Sequence, residues 1–166
     1  MSTTEEPLSD SIAENLVGAA SEGADIVDVD VDDEPLAVVQ AINRFLEPPK
    51  KGWFWTPTAD ANVDNWTDRA LPVGSLWGQI IVRHFGWHWA SLIQHDQDDF
   101  KAIAVVSEDR SLAVFPFHYC FGCLENHLHP TVLLAFNILD TGKIPQQPVG
   151  EFVNLMDSVR HIVPPS

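Results

Sequence analysis

The chain has 166 residues, of which 45 % are hydrophobic, so it has the size and apolar content of one folded domain. Its formal net charge is −15, and it has no basic run to neutralise phosphates, which argues against nucleic-acid binding. No apolar run approaches the roughly 20 residues of a membrane span, so we expect no membrane association. Two cysteines and the lack of a secretory signal favour a cytoplasmic protein.

The negative charge is concentrated at the N-terminus. Residues 1–34 hold eleven acids and no lysine or arginine, whereas residues 35–166 hold thirteen acids and nine bases. Acidic segments that are poor in aromatic residues are typical of disorder. The composition therefore predicts a disordered acidic tail over residues 1–33, followed by a single domain over residues 34–166.

Two weak patterns lie within the predicted tail. Ser11 to Ala20 has a sparse helical stripe formed by Ile12, Leu16 and Val17. Residues 26–31 alternate partly between aliphatic and acidic side chains, as an edge strand does. A solvated acidic linker remains the prediction for both.

Helical periodicity recurs after the tail. Pro35 opens a helix over residues 35–47, which Pro48 ends. A second helix is predicted over residues 72–85, with Pro72 in its first turn. Its apolar residues recur at helical spacing: Val73, Leu76, Trp77, Ile80, Ile81.

Three glycines mark the second helix. Gly74 and Gly78 lie four residues apart, which favours close approach of another element to the helix backbone. Gly86 stands where a helix commonly ends in a left-handed glycine.

Three strands follow the second helix at short intervals. They are predicted over Trp87–His95, Phe100–Val106 and Ser111–Phe115, the last of which is stopped by Pro116. The short turns between them favour an antiparallel meander.

The C-terminal third returns to helical patterns. Residues 117–126 are predicted as a short helix or loop, and helices are predicted over residues 130–140 and 151–161. The predicted fold class is therefore α+β, in which a small antiparallel sheet of three or more strands packs against several helices.

The segment from His118 to His129 contains five soft metal ligands within twelve residues. A Cys-x-x-Cys pair supplies half of many zinc sites, and nearby histidines complete them. The candidate ligands are Cys120, Cys123, His118, His127 and His129. The alternatives are packing of both cysteines in an aromatic core, or a redox role for the pair.

Six tryptophans are many for a chain of this length. They indicate an aromatic core, or an exposed platform for a sugar or a partner protein. Trp53 and Trp55 are the candidates for the platform, because they follow Lys50 and Lys51 in a predicted loop.

The remaining chemistry is sparse. His84 and His88 are four residues apart but flank Gly86, so they need not share a helix face, and local hydrogen bonds are expected for them and for His95. The chain has no glycine-rich phosphate loop and no nucleophile elbow, and the acids cluster in turns and in the tail. Enzymatic activity is therefore not favoured, and the enzymatic alternative that stays open is a small enzyme with its site at the Trp53–Trp55 loop.

Three short motifs succeed one another in residues 71–117. They are Gly74-Ser75-Leu76-Trp77-Gly78-Gln79, then Gly86-Trp87-His88-Trp89, then a strand that ends at Phe115-Pro116. In this order they resemble a bacterial family of domains of unknown function. The resemblance implies a small α+β domain of bacterial origin, and it supplies no catalytic residue. The family tends to carry a glutamate where this chain has Gln79.

These observations predict a non-enzymatic protein-interaction module with a protein partner. One version is an immunity or inhibitor protein whose acidic tail masks a basic partner. The alternative is a metal-binding or thiol-redox protein that uses Cys120 and Cys123, with zinc as the expected metal.

Overall fold

The computed structural model describes residues 2–48 and 63–160, the side chains of residues 63–67 and of residue 160 excepted. These ranges contain helices and one mixed sheet, so the predicted α+β class is confirmed. The strands are β1 (Thr3–Glu6), β2 (His88–Gln94), β3 (Phe100–Val106), β4 (Leu112–Val114) and β5 (Val153–Asn154). The helices are α1 (Asp10–Val27), α2 (Pro35–Leu46), α3 (Val63–Phe85), α4 (Pro116–Asn126), α5 (Val132–Asp140) and α6 (Leu155–Arg160).

The sheet has the strand order β1-β2-β3-β4-β5. The first four strands pair antiparallel, so the predicted meander of β2, β3 and β4 is confirmed. The fifth strand lies parallel to β4, and this pairing shortens the helix predicted over residues 151–161 to α6. One sheet face carries a small apolar cluster against which Phe115 and Phe152 pack. The opposite face meets α3.

α3 is the central helix, and its predicted apolar face is buried. The prediction that this helix begins at Pro72 is wrong, because α3 runs from Val63 with Pro72 in its interior. Proline removes one helical hydrogen bond. Burial of Ala70 on one side of it and Val73 on the other extends the packed face across Pro72, which offsets that loss.

The predicted close approaches at the α3 glycines are confirmed. A methyl group at Gly74 would lie 2.9 Å from the Phe117 ring and 3.2 Å from the Pro116 carbonyl oxygen. A methyl group at Gly78 would overlap the Trp89 ring. Gly86 ends α3 with φ +71, and its N–H donates to the Val82 carbonyl oxygen. The glycines therefore let α4 and β2 pack directly on the α3 backbone.

The prediction that residues 1–33 form a disordered tail is wrong. β1 adds to the edge of the sheet, and α1 packs lengthwise on α3. The buried stripe of α1 consists of Leu16, Ala20, Gly23 and Ala24, whereas Ile12 and Val17 are exposed. Alanine and glycine add little to the hydrophobicity of a segment, yet they allow two helices to come close enough for wide contact.

The edge strand considered for residues 26–31 is also absent from the structure. α1 continues through Val27 and ends at Asp28, which has the left-handed φ of 59 and donates its N–H to the carbonyl oxygens of Ala24 and Asp25. Ala24 packs into the main core, and this burial stabilises the helical form of the segment. The helical pattern therefore prevails over the partial alternation of aliphatic and acidic residues. The N-terminal segment that does form an edge strand is β1, which pairs with β2.

The remaining helices lie close to their predicted positions. α2 begins at Pro35 and buries Val38, Val39, Ile42 and Leu46. Asn43 Oδ1 accepts the Leu133 N–H at 3.1 Å, which ties α2 to the start of α5. Of the two forms considered for residues 117–126, the structure has the helix.

Candidate functional site

Residues 2–34 form a folded acidic surface, which we call the acidic layer (β1, α1 and the turn to Glu34). Nine of its eleven acids are exposed, while Glu5 and Glu6 are half-buried. The exposed acids are Asp10, Glu14, Glu22, Asp25, Asp28, Asp30, Asp32, Asp33 and Glu34. The charge that the sequence shows at the N-terminus is therefore held on a scaffold.

The acids of α1 share one side of the helix. At about 100° per residue, Asp10, Glu14, Glu22 and Asp25 fall within an arc of about 120°. The buried stripe that contains Leu16 lies on the opposite side. Packing of α1 on α3 thus turns all four carboxylates toward solvent.

The turn after α1 is held by its own side chains and by α3. The Asp30 N–H donates to Asp33 Oδ2 at 2.9 Å, and the Asp32 N–H donates to Asp30 Oδ1 at 2.9 Å. Arg83 Nη1 donates to the Val31 carbonyl oxygen at 2.8 Å and lies 3.4 Å from Asp32 Oδ1. These contacts fix the direction in which the turn presents its carboxylates.

Little of this charge is neutralised internally. Within residues 2–48 and 63–160, the acids of the layer that form ion pairs are Glu5, Glu6 and Asp32. The other eight acids project a negative field that is available to a cationic partner.

Contacts from Lys101 and His95 fasten the side chains of β1 to the sheet. Lys101 Nζ donates to Glu6 Oε2 at 2.7 Å. His95 joins the Thr4 hydroxyl (Nε2 to Oγ1, 2.8 Å) to Asp99 (Nδ1 to Oδ1, 2.6 Å). Such contacts add to the backbone pairing of a strand that has only four residues.

Glu5 is the most enclosed acid of the layer, with a side chain that is 17 % exposed. Burial by itself would raise the pKa of its carboxyl. Hydrogen bonds from His88 and Arg110 outweigh burial, and the net result is a lowered pKa. Glu5 is therefore ionised in the folded protein near neutral pH.

The cysteines of the predicted metal segment lie on α4, and both face the protein interior. Cys120 is 0 % and Cys123 is 2 % exposed, in the main hydrophobic core. Burial, together with the neighbouring Cys123, raises the pKa of the Cys120 thiol. Zinc binds the thiolate, so this environment does not favour Cys120 as a zinc ligand.

The structure brings three of the five predicted metal ligands to one cavity. His118, Cys123 and His129 line a cavity of about 260 Å³ beside α4. His127 lines a neighbouring cavity with Cys123, and Cys120 lines neither of the two. Among the residues that the structure describes, no three His, Cys, Asp or Glu side chains are grouped closely enough to hold a metal ion. Zinc binding stays a prediction.

Tyr119 and Thr131 form the polar wall of the same cavity. The Thr131 N–H donates to the Tyr119 hydroxyl at 2.6 Å, and the two hydroxyl groups lie 3.0 Å apart. Burial raises the pKa of Tyr119 to about 12, against the opposing effect of these hydrogen bonds. The hydroxyl stays protonated and closes the turn between α4 and α5.

The three histidines of residues 84–95 are separated as predicted. His84 Nε2 lies 2.9 Å from Asp140 Oδ1, and His88 Nε2 lies 2.6 Å from Glu5 Oε1. The predicted local hydrogen bond is found for His95, with Asp99, but the prediction is wrong for His84 and His88, whose carboxylate partners are distant in sequence. No sequence pattern points to Glu5 or Arg110, because a pairing across more than 80 residues leaves no local signal.

Trp77, Trp87 and Trp89, the tryptophans whose side chains the structure describes, all pack against other parts of the fold. Trp77 is 1 % and Trp87 is 9 % exposed, and Trp89 stacks on Phe117 at 5.9 Å between ring centroids. The predicted platform residues Trp53 and Trp55 lie outside the described residues.

Comparison with known proteins gives no relative. No family model matches the chain, and no curated protein or solved structure is similar to it. The resemblance over residues 71–117 stays a prediction. In the part of the chain that the structure covers, every helix is too short or too polar to cross a membrane.

Proposed function

We propose that this protein is a non-enzymatic interaction domain that binds a cationic protein surface through the acidic layer. The observation that carries the proposal is the set of nine exposed acids held on folded elements. Four of them share one side of α1, and a further set follows in the turn that Arg83 holds.

A folded acidic surface suits this role for two physical reasons. Complementary charge accelerates encounter with a partner and discourages partners of like charge. Because the carboxylates are already held in place, binding does not carry the entropy cost of ordering a flexible tail. An inhibitor or immunity protein that covers a basic site is the specific form we favour, and a reducing, cytoplasmic setting agrees with two buried thiols.

The test compares two variants of equal net charge in affinity capture followed by quantitative mass spectrometry. The first neutralises the acidic side of α1 with Asp10→Asn, Glu14→Gln, Glu22→Gln and Asp25→Asn. The control neutralises four exposed acids elsewhere with Asp98→Asn, Glu108→Gln, Glu125→Gln and Glu151→Gln.

The expected result is a basic partner that the control retains and that the α1 variant loses by about ten-fold at low salt. Equal losses in both variants would mean that net charge alone causes the capture. Unchanged capture by both would exclude the acidic layer as the binding surface.

A second candidate is a thiol or metal function, which rests on the convergence of His118, Cys123 and His129 on one cavity. Elemental analysis of protein purified without chelator tests it. About one zinc per chain, with thiols that react only after chelator is added, would support this candidate over the first.

A further inference from the structure

A second cavity, of about 530 Å³, lies where β1, the start of α1, β2 and the turn between β3 and β4 meet. Its polar lining consists of Glu5, His88 and Arg110, and its apolar lining includes Leu8 and Trp89. The volume falls within the range of small-molecule sites, which are typically apolar clefts with a few fixed polar groups.

The two carboxylate oxygens of Glu5 orient the side chains of His88 and Arg110. Oε1 lies 2.6 Å from His88 Nε2, and Oε2 accepts a hydrogen bond from Arg110 Nε at 2.6 Å. An ionised carboxylate only accepts hydrogen bonds, so His88 carries a proton on Nε2. The Glu5 side chain is 17 % exposed, against 41 % for His88 and 54 % for Arg110. His88 and Arg110 are therefore more accessible to a ligand than Glu5 is.

Arg110 is fixed at both ends. Its backbone has a left-handed φ of 61, and its carbonyl oxygen accepts hydrogen bonds from the N–H groups of Gly150 and Phe152. Its Nε is committed to Glu5. Within the described ranges, Nη1 and Nη2 donate to no protein group, so the outer edge of the guanidinium keeps its donors for a ligand.

The apolar wall is equally well held. Trp89 stacks on Phe117 with an interplanar angle of 11°, and Gly78 makes room for its ring against α3. Leu8 and Pro7 come from the link between β1 and α1, which the contacts of Glu5 hold in place. A ligand that reaches Arg110 therefore also meets an apolar surface.

The charge balance selects the kind of anion. The polar lining consists of one carboxylate, Glu5, and two groups that donate hydrogen bonds to it, His88 and Arg110. Glu5 offsets one positive charge, so the lining has at most one positive charge left for a ligand. Arg110 is the one permanent cation in the described lining, so the second charge of a dianion such as a phosphate ester would find no matching cation there. A carboxylate also matches the two parallel N–H donors at the Nη edge of a guanidinium.

We propose that this cavity binds a small organic monocarboxylate, which pairs with the Nη edge of Arg110 and rests its apolar body against Leu8 and Trp89. The inference is independent of the proposed function, because the acidic side of α1 takes no part in it.

The test titrates the full chain with 4-phenylbutyrate and, as the uncharged control, with 4-phenylbutanamide. Two-dimensional NMR follows the Trp89 indole and Arg110 side-chain signals. The carboxylate is expected to shift both signals and to bind with a Kd of about 1 mM or tighter, with the amide weaker by about ten-fold or more.

Three variants separate binding from folding. Arg110→Gln is expected to weaken carboxylate binding by about ten-fold, and Arg44→Gln, the loss of the same charge at an exposed position on α2, to leave it unchanged. Leu8→Asp adds a negative charge to the wall without touching the Glu5 contacts, and it is expected to abolish binding. Equal binding of carboxylate and amide, no shift with either compound, or undiminished binding by Leu8→Asp would each overturn the proposal.

Discussion

Replacement of Gly23 by alanine probes the packing of α1 on α3. A methyl group at this position would overlap the Pro72 carbonyl oxygen, and it would lie 2.6 Å from the Pro72 carbonyl carbon and 3.1 Å from Leu76 Cβ. The obstructing atoms are mainly backbone atoms of α3, so a rotamer change cannot relieve the clash. The two helices must separate.

The size of the effect follows from two opposing terms. Alanine favours a helix interior over glycine by about 1 kcal/mol. Overpacking of a well-packed contact costs about 1–3 kcal/mol and sometimes more, and α1 contacts α3 along much of its length. Because backbone atoms obstruct the methyl group, we take the upper end of the overpacking cost, and after the gain in helix propensity Gly23→Ala should lower the free energy of unfolding by about 2 kcal/mol and Tm by about 4–8 °C.

Gly18→Ala is the matched control on the same helix. Gly18 is exposed, and nothing lies within 4 Å of an added methyl group, so alanine should stabilise the protein by about 0.5–1 kcal/mol. Urea unfolding, fitted with the same m-value for both variants, measures the change in the free energy of unfolding. If Gly23→Ala were as harmless as Gly18→Ala, α1 would not be packed on α3, and the acidic layer would lose its scaffold.

Three further predictions concern single groups. The pKa of Glu5 is lowered in the folded state, so its contribution to stability is complete above its unfolded pKa near 4.5 and is lost as the pH falls through the folded value. As the pH is lowered, the urea midpoint of Glu5→Gln should therefore fall less steeply than the urea midpoint of the wild type. Tyr119→Phe removes the acceptor of the Thr131 N–H and should cost about 1–2 kcal/mol in urea unfolding, whereas a substitution without effect would show that water replaces the hydroxyl. Cys120 should react with a thiol reagent only at the rate of unfolding, because it is buried and its pKa is raised; fast modification of the native protein would contradict this.

The candidate site was only partly predictable. The acidic composition of residues 1–34 was plain in the sequence, but its fixed presentation depends on contacts such as those of Arg83 with the turn after α1. The Cys-x-x-Cys spacing drew attention to α4, whereas the direction in which Cys120 points depends on the helix that carries it. The cavity of Glu5, His88 and Arg110 combines residues from three separate elements, and no local pattern announces it.

The sequence by itself determined the elements whose side chains repeat with a regular period. The apolar face of α3, the helix that begins at Pro35 and the strands β2 and β3 all follow from local spacing of large apolar residues. Such patterns bury enough surface to fix an element wherever it packs.

Only the tertiary structure decided the elements that depend on a neighbour. α1 is held by a stripe of alanine and glycine that becomes favourable when α3 lies against it, and α3 crosses Pro72 because both sides of the proline are buried. β1 and β5 have only four and two residues, too few for a periodic signal, and they exist because β2 and β4 offer free edges. Contacts between residues far apart in the chain stabilise these elements, and composition and periodicity do not record such contacts.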